Sequence, residues 1–175
     1  MKKDVEALNL PYLLHPKLTL LVTCGPFEES NIIPIAWSVP ISRTPPLVGI
    51  AVSPKRYSYS LIEKYRVFAI NVPTYDQLNA IKVCGSVSGR DKNKWEMAKL
   101  TKEKAKKIDT AIIRECIGHI ECVLDRKLEL GDHSLFVGKV VAAYVEEEAY
   151  ASGILNTLKF KPPLHLGKEV FTTTL

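Results

Sequence analysis

The sequence predicts a mainly β fold, a β-barrel carrying short helices, on the strength of three observations. Short β-branched and aliphatic segments recur along the chain, turn residues separate them, and only two or three short amphipathic stretches read as helices. No internal repeat or low-complexity tract interrupts this pattern. A chain of 175 residues is most economically one domain, residues 1–16 forming an N-terminal arm and 149–175 a C-terminal tail.

Taken in order, Pro11 and Pro16 around Tyr12-Leu13-Leu14 predict an extended arm lying on another surface, such as a second subunit. Lys17 to Cys24 is a first strand stopped by Gly25-Pro26. Asn31 to Ser38 is a second, with Pro34 confined to an edge or bulge because it cannot donate to a ladder. Thr44-Pro45-Pro46 turns the chain, and Leu47 to Ser53 reads as a strand buried on both faces. Ser60-Leu61-Ile62-Glu63 fits a capping box opening a short helix to about Tyr65. Val67 to Val72 is a buried strand ended by Pro73, and Thr74-Tyr75-Asp76-Gln77 is a second capping box. The helix it opens carries Leu78, Ile81 and Cys84 as its apolar stripe and stops at Gly85. After a loop, Asp91 caps a short helix with Trp95 and Ala98. From Ile112 to Leu130 the pattern is strand-like, with Ile120, Cys122 and Leu124 on one face and His119, Glu121 and Asp125 on the other. Gly131-Asp132 turns into a hairpin partner, Ser134 to Val145, whose Gly138 and Ala142 allow close packing. The tail, with Pro162-Pro163, wraps the surface or a partner.

Composition narrows the function classes. Apolar residues at 46% and charged residues at 25% are ordinary globular values, and no apolar run is long enough to cross a bilayer. Met1-Lys2-Lys3 is followed by Asp4 and Glu6 instead of an apolar stretch, so a cytoplasmic protein is expected. Cys24, Cys84, Cys116 and Cys122 lack the spacing of a zinc ribbon or disulfide framework and read as free, buried thiols, the alternative being a redox role for Cys84. The net charge of +5 is concentrated between Lys99 and Lys107. Interleaved acid and missing aromatics there favour a solvated helix or loop over a nucleic-acid groove, so a basic nucleic-acid-binding module is kept only as an alternative. His119 and Glu121 lack a third ligand, and no metal site is expected.

The most informative stretch runs from Asn31 to Ser60. Ser53, Lys55, Arg56, Ser58 and Ser60 gather where a strand gives way to a helix start, beside the apolar Ile35, Ala36, Trp37 and Val52. Hydroxyls and cations at a helix N-terminus suit a phosphate. Taken alone, the cluster is better explained as an ordinary capped helix with solvated charges.

Its company changes that balance. Asn31-Ile32-Ile33-Pro34-Ile35-Ala36-Trp37-Ser38, Ser42-Arg43-Thr44-Pro45-Pro46-Leu47-Val48 and Ser53-Pro54-Lys55-Arg56-Tyr57-Ser58-Tyr59 are followed by Phe68-Ala69-Ile70-Asn71-Val72-Pro73. Cys84-Gly85-Ser86-Val87-Ser88-Gly89-Arg90-Asp91-Lys92 and Gly131-Asp132-His133-Ser134-Leu135-Phe136-Val137-Gly138 come next. In this order, across residues 15–146, the blocks resemble the flavin reductase-like proteins, including the flavoredoxins. The resemblance implies an FMN-binding split barrel of Greek-key type, working as a homodimer with flavin at or near the subunit interface. It implies that Ala36, Trp37 and Ser38 face the ring edge, that Ser42 and Arg43 approach the ring or ribityl chain, and that Ser88, Gly89, Lys92 and Trp95 belong to a loop over the flavin. Lys92 and Trp95 could come from the neighbouring subunit, or the loop could merely cap a helix. His133 is implied near the reacting face, although a lone His after a turn is more often structural. NAD(P)H is a possible reductant; a ferredoxin or deazaflavin could serve instead, since no Gly-x-Gly-x-x-Gly fingerprint occurs. A flavin-storage or flavin-sensing protein is the non-enzymatic alternative.

FMN asks for a dianion site, a polar channel and a flat apolar wall. Two or three charged hydrogen bonds at about 1.5–3 kcal/mol each fall short of the roughly 8 kcal/mol of micromolar binding. Ring burial at about 25 cal/mol per Å² has to supply the rest, so the adjacency of cation cluster and apolar wall is what carries the expectation.

Overall fold

The computed structural model describes residues 2–175. Its strands and helices are β1 (Lys17–Leu18), β2 (Leu20–Cys24), β3 (Asn31–Ile35), β4 (Ser38–Arg43), β5 (Pro46–Val52), α1 (Tyr57–Tyr65), β6 (Val67–Val72), α2 (Leu78–Ser86) and α3 (Lys94–Ala98). They continue with β7 (Lys102–Lys104), β8 (Ala111–Ile113), β9 (Gly118–Leu130), β10 (His133–Val145), β11 (Tyr150–Ala151), β12 (Ile154–Leu155), β13 (Leu164–Gly167) and β14 (Val170–Thr172). Seven of these strands form one sheet in the order β3-β2-β6-β9-β10-β5-β4, and every neighbouring pair is antiparallel.

That order forces closure. β3 and β4 lie at opposite edges of the sheet, yet only Ala36 and Trp37 separate them in the chain. Three residue steps reach at most about 11 Å, so the sheet must curl until its two edges meet. Ala51 N–H donates to Trp37 O at 2.9 Å and ties the link to β5. The result is the mainly β, split-barrel architecture expected, with Ala36-Trp37 at the seam. Pro34 sits on edge strand β3 opposite Leu21, where its missing N–H breaks no outer ladder.

The barrel interior is filled by Leu20, Val22, Ile33, Ile35, Ile50, Val52, Ile62, Phe68, Leu124 and Phe136. A second apolar cluster outside the sheet joins Leu21 and Ile32 to Ile81, Cys84 of α2, Trp95 of α3 and Ile113 of β8. β2 is therefore buried on both faces, which its unbroken apolar run requires. Gly138 is the tightest interior point: a Cβ there would stand 2.5 Å from Phe68 Cζ and 2.7 Å from Cys122 Cβ. Gly138→Ala is expected to lower stability by about 2 kcal/mol in a urea melt, as overpacked cores do; a change within about 0.5 kcal/mol would contradict the packing described.

Several boundaries differ from expectation for local reasons. The arm is a 3-10 helix over Ala7–Leu14, not extended, with Leu8, Leu10, Leu13 and Leu14 exposed. The Asn31 to Ser38 segment breaks at Ala36-Trp37 because it must cross the seam. α1 starts at Tyr57, so Ser60 lies inside it and its hydroxyl donates to Tyr57 O at 2.8 Å instead of capping. The Thr74–Gln77 capping box forms as read, opening a 3-10 turn that runs into α2. α2 continues one residue past Gly85, and α3 is capped by Asn93, whose Oδ1 accepts from Trp95 and Glu96 N–H, not by Asp91. β5 is only half-buried at Leu47, Val48 and Ala51. Residues 114–117 interrupt the strand expected from Ile112 to Leu130.

The Lys99 to Lys107 segment contains strand β7 instead of a helix. Lys102 Nζ donates to Phe27 O and Glu28 O, and Lys106 Nζ sits 3.8 Å from the Tyr144 ring centroid, so part of the basic cluster is spent internally. The tail folds back: β13 pairs with β1 and β14 in a separate three-stranded sheet. No helix among the described residues is long and apolar enough to cross a membrane.

Candidate functional site

A cleft opens at the barrel seam. Its larger chamber, about 360 Å³, is lined by Ile33 to Trp37 from β3 and the link, Ala51, Val52 and Ser53 from the end of β5, and Arg56. Thr19, just before β2, Ile81, Lys82, Gly85 and Ser86 of α2, His133 of β10, and His165, Lys168, Glu169 and Phe171 of the C-terminal hairpin complete it. A second chamber, about 270 Å³, is lined by Asn31, Lys55, Arg56, Ser58, Cys84, Ser88, Gly89 and Lys94. The two share Ile33, Pro34, Arg56, Gly85 and Ser86, and so adjoin.

The chambers differ in chemistry. The smaller one carries Lys55, Arg56 and Lys94 and, among the described residues, no carboxylate. It lies at the N-terminus of α1, where Arg56 is the N-cap and makes no side-chain capping bond. Helix N–H groups not claimed by a side chain, with cations around them, form an anion site. Ser58 is 1% exposed, and its Oγ accepts from Asn31 Nδ2 at 2.7 Å, fixing both side chains at the chamber wall.

Lys94 is the least expected member. Its Nζ is buried and donates to Ile32 O at 2.8 Å and Cys84 O at 2.7 Å, which leaves one of its three N–H bonds without a protein partner among the described residues. Burial pushes its pKa below the usual lysine range, and an anion in the chamber would favour its charged form.

The larger chamber offers a flat apolar wall. Trp37 and His133 stack with ring centroids 4.8 Å apart and planes inclined by 38°. His133 Nδ1 contacts Asp132 Oδ1 at 2.8 Å, which makes Nδ1 the donor and leaves Nε2 free. The same contact holds the exposed Asp132 carboxyl below the usual carboxylate range.

Of the residues singled out by sequence, Ile35, Ala36, Trp37, Val52, Ser53, Arg56 and His133 line the larger chamber, and Lys55, Arg56, Ser58, Ser88 and Gly89 the smaller. Ser38, Ser42 and Arg43 lie on β4, the last two paired with Leu47 and Pro46 at its far end, and do not line the cleft. Lys92 and Trp95 face a different depression beyond Asn31. Trp95 is 6% exposed and its Nε1 donates to Ser30 O at 2.6 Å, so within this fold it is a core residue rather than a loop over the cleft. The residues that sequence reasoning missed are Lys94, two positions beyond Lys92, and the tail residues His165 and Phe171. The signal for Lys94 was available in its helical position next to the Asn93 cap; for the tail, no local pattern existed.

All four cysteines are free and buried. Burial pushes Cys24 and Cys122 up to about 12 and Cys84 up to about 11, and raises Cys116 as well. Reactivity follows the thiolate, which at pH 8 is about a thousandth of Cys84 and less of the others. A disulfide reagent at pH 8 is expected to modify less than one equivalent in the native protein and four after denaturation; rapid native labelling of Cys84 would revive its redox role.

The chain matches the family described as Flavin reductase like domain over residues 13–171. It is 37% identical to a protein of Pyrococcus abyssi over 161 residues, 92% of each chain. Among solved structures it is similar to an FMN-binding protein from Thermus thermophilus with bound p-hydroxybenzaldehyde, at 30% identity and TM-score 0.84, covering 99% of this chain and 95% of that one. It shares its fold with flavoredoxin from Methanosarcina acetivorans, at TM-score 0.88 and 23% identity, covering 99% and 91%.

Proposed function

The chain belongs to the flavin reductase-like family, and from that premise we propose that it is an FMN-binding oxidoreductase, a flavin reductase or flavoredoxin-like electron-transfer protein. The observation that carries the reading is the adjacency of the two chambers: Arg56 lines both the cationic chamber and the apolar-walled chamber that holds Trp37. A ligand with a dianion at one end and a flat ring at the other fits that division. Lys55, Arg56, Ser58 and Lys94 would hold the phosphate, and Ile35, Trp37, Val52 and His133 the ring.

Bound FMN would supply the redox chemistry, which requires no acid–base dyad from the protein. The chain's part is to exclude water from one ring face with Trp37, to present His133 Nε2 at the cleft, and to surround the cofactor with positive charge that favours its reduced, anionic form. NAD(P)H is the proposed reductant, and His133 the side chain proposed to meet it.

The proposal includes a homodimer. Leu8 at 89% exposure and its neighbours Leu10, Leu13 and Leu14 form an apolar patch on the N-terminal 3-10 helix that a second subunit would cover. It also includes a cytoplasmic setting, which free thiols suit.

The test is anaerobic. FMN-loaded protein mixed with NADH or NADPH is expected to lose its oxidised-flavin absorbance; stable yellow colour with both would leave a flavin-storage protein, and failure to load FMN would remove the reading altogether.

A further inference from the structure

The larger chamber holds two cations that the cofactor assignment does not use. Lys82 of α2 and Lys168, at the tip between β13 and β14, both line it, and both are exposed. Among the described residues neither side chain makes an ion pair, although Glu169 lines the same chamber.

The two lysines come from distant segments yet rest on one support. Lys82 Nζ stands 5.9 Å from the Phe171 ring centroid, and the Phe171 ring packs 5.0 Å from that of His165. His165 Nε2 donates to Lys168 O at 2.8 Å, which ties the hairpin tip to the same pair of rings. Lys168 has a φ of 51°, in the left-handed region that Gly or Asn fills more readily. A long cationic side chain held there asks for a reason beyond the turn. Like charges converging on one cavity raise the free energy of the fold until an anion joins them. FMN does not bring that anion, because its one phosphate is matched by Lys55, Arg56 and Lys94 in the smaller chamber.

We propose that Lys82 and Lys168 bind the pyrophosphate of a reduced nicotinamide dinucleotide, an inference that rests on the reductant assigned above and gives it a binding site. The two phosphoryl groups carry one negative charge each, which two separate ammonium groups match. Dinucleotide-binding folds catch a pyrophosphate on the main-chain N–H groups of a glycine-rich helix start, and this chain has no Gly-x-Gly-x-x-Gly. Side-chain cations at the chamber take that part. Lysine suits it, since a point charge on a flexible stem holds a visiting ligand without fixing one orientation. The nicotinamide is thereby brought to the chamber that Trp37 and His133 line.

The experiment follows the anaerobic bleaching of FMN-loaded protein by NADH, by NADPH and by 1-benzyl-1,4-dihydronicotinamide, which is uncharged. Lys82→Gln and Lys168→Gln are each expected to raise the half-saturating NADH concentration about threefold, and the double variant about tenfold, the scale of exposed ion pairs. The neutral donor has no phosphate and is expected to shift by under about twofold. Calorimetric titration of the FMN-loaded protein with 1,4,5,6-tetrahydro-NADH, which cannot give up a hydride, should show the same loss of affinity without turnover. A shift of under about twofold for NADH in the double variant, or equal shifts for NADH and the neutral donor, would overturn the inference. So would a shift confined to NADPH, since the lysines would then hold its adenosine 2′-phosphate. No bleaching of the wild type by either dinucleotide would remove the assigned reductant and this site with it, whereas the loading of FMN would stand.

Discussion

Replacing Lys94 with methionine is expected to lower the unfolding free energy by about 3 kcal/mol, because it strips a donor from two buried carbonyls at once. Ile32 O and Cys84 O both receive the Lys94 ammonium, and Ile32 and Cys84 belong to the second apolar cluster. An unpaired buried acceptor costs about 1–3 kcal/mol. Removing the ammonium also relieves its own desolvation, which offsets part of that sum. Urea melts with unchanged slope and a lower midpoint would match the expectation. A loss under about 1 kcal/mol would mean that β3 and α2 find other donors and that Lys94 is not the pin between them.

Arg56→Ala is expected to weaken FMN binding by roughly 30- to 100-fold, the worth of a charge-assisted pair of hydrogen bonds. Riboflavin, which carries the same ring without the phosphate, should lose no more than about threefold, since it makes no charged contact to lose. The substitution leaves the helix start intact, because Arg56 makes no side-chain capping bond to α1. Equal losses for both flavins would place Arg56 at the ring instead of the phosphate, and no loss for either would take it out of the site.

Much of the barrel was legible because its signals are local. The β2 and β6 segments announce themselves as aliphatic runs bounded by turn residues, β9 by alternation, β10 as the hairpin partner after Gly131-Asp132, Thr74 to Gln77 by its capping box, and Gly138, with Ala142, by its small size, which the structure uses to seat Phe68 and Cys122. Closure was not readable from any segment, since it follows from β3 and β4 lying at opposite edges of the sheet. The same distinction separates the site residues. Trp37, Ser53 and Arg56 share the seam with the strand ends that carry them.

His165 reaches the cleft only because β13 pairs with β1, almost 150 residues away, and no periodicity in the tail foretells that partner. Lys92 and Lys94 differ by two positions. Lys92 precedes the Asn93 cap and is exposed, whereas Lys94 opens α3 and is buried, a difference that rests on where the cap falls. Ser42 and Arg43 were drawn into the site by family likeness, and the β4–β5 register carries them to the opposite end of the strand.

The central claim is that one cleft takes a flat ring against Trp37 while its neighbouring chamber holds the attached dianion. Titrating flavin-free protein with FMN while following tryptophan fluorescence tests it most directly, because Trp37 lines the cleft and Trp95, buried in the second apolar cluster, does not. The account predicts saturable quenching with one FMN per chain, most of it lost in Trp37→Phe, and a clearly weaker titration by riboflavin. Absence of saturable binding, or quenching that survives in Trp37→Phe and is matched by riboflavin, would contradict it.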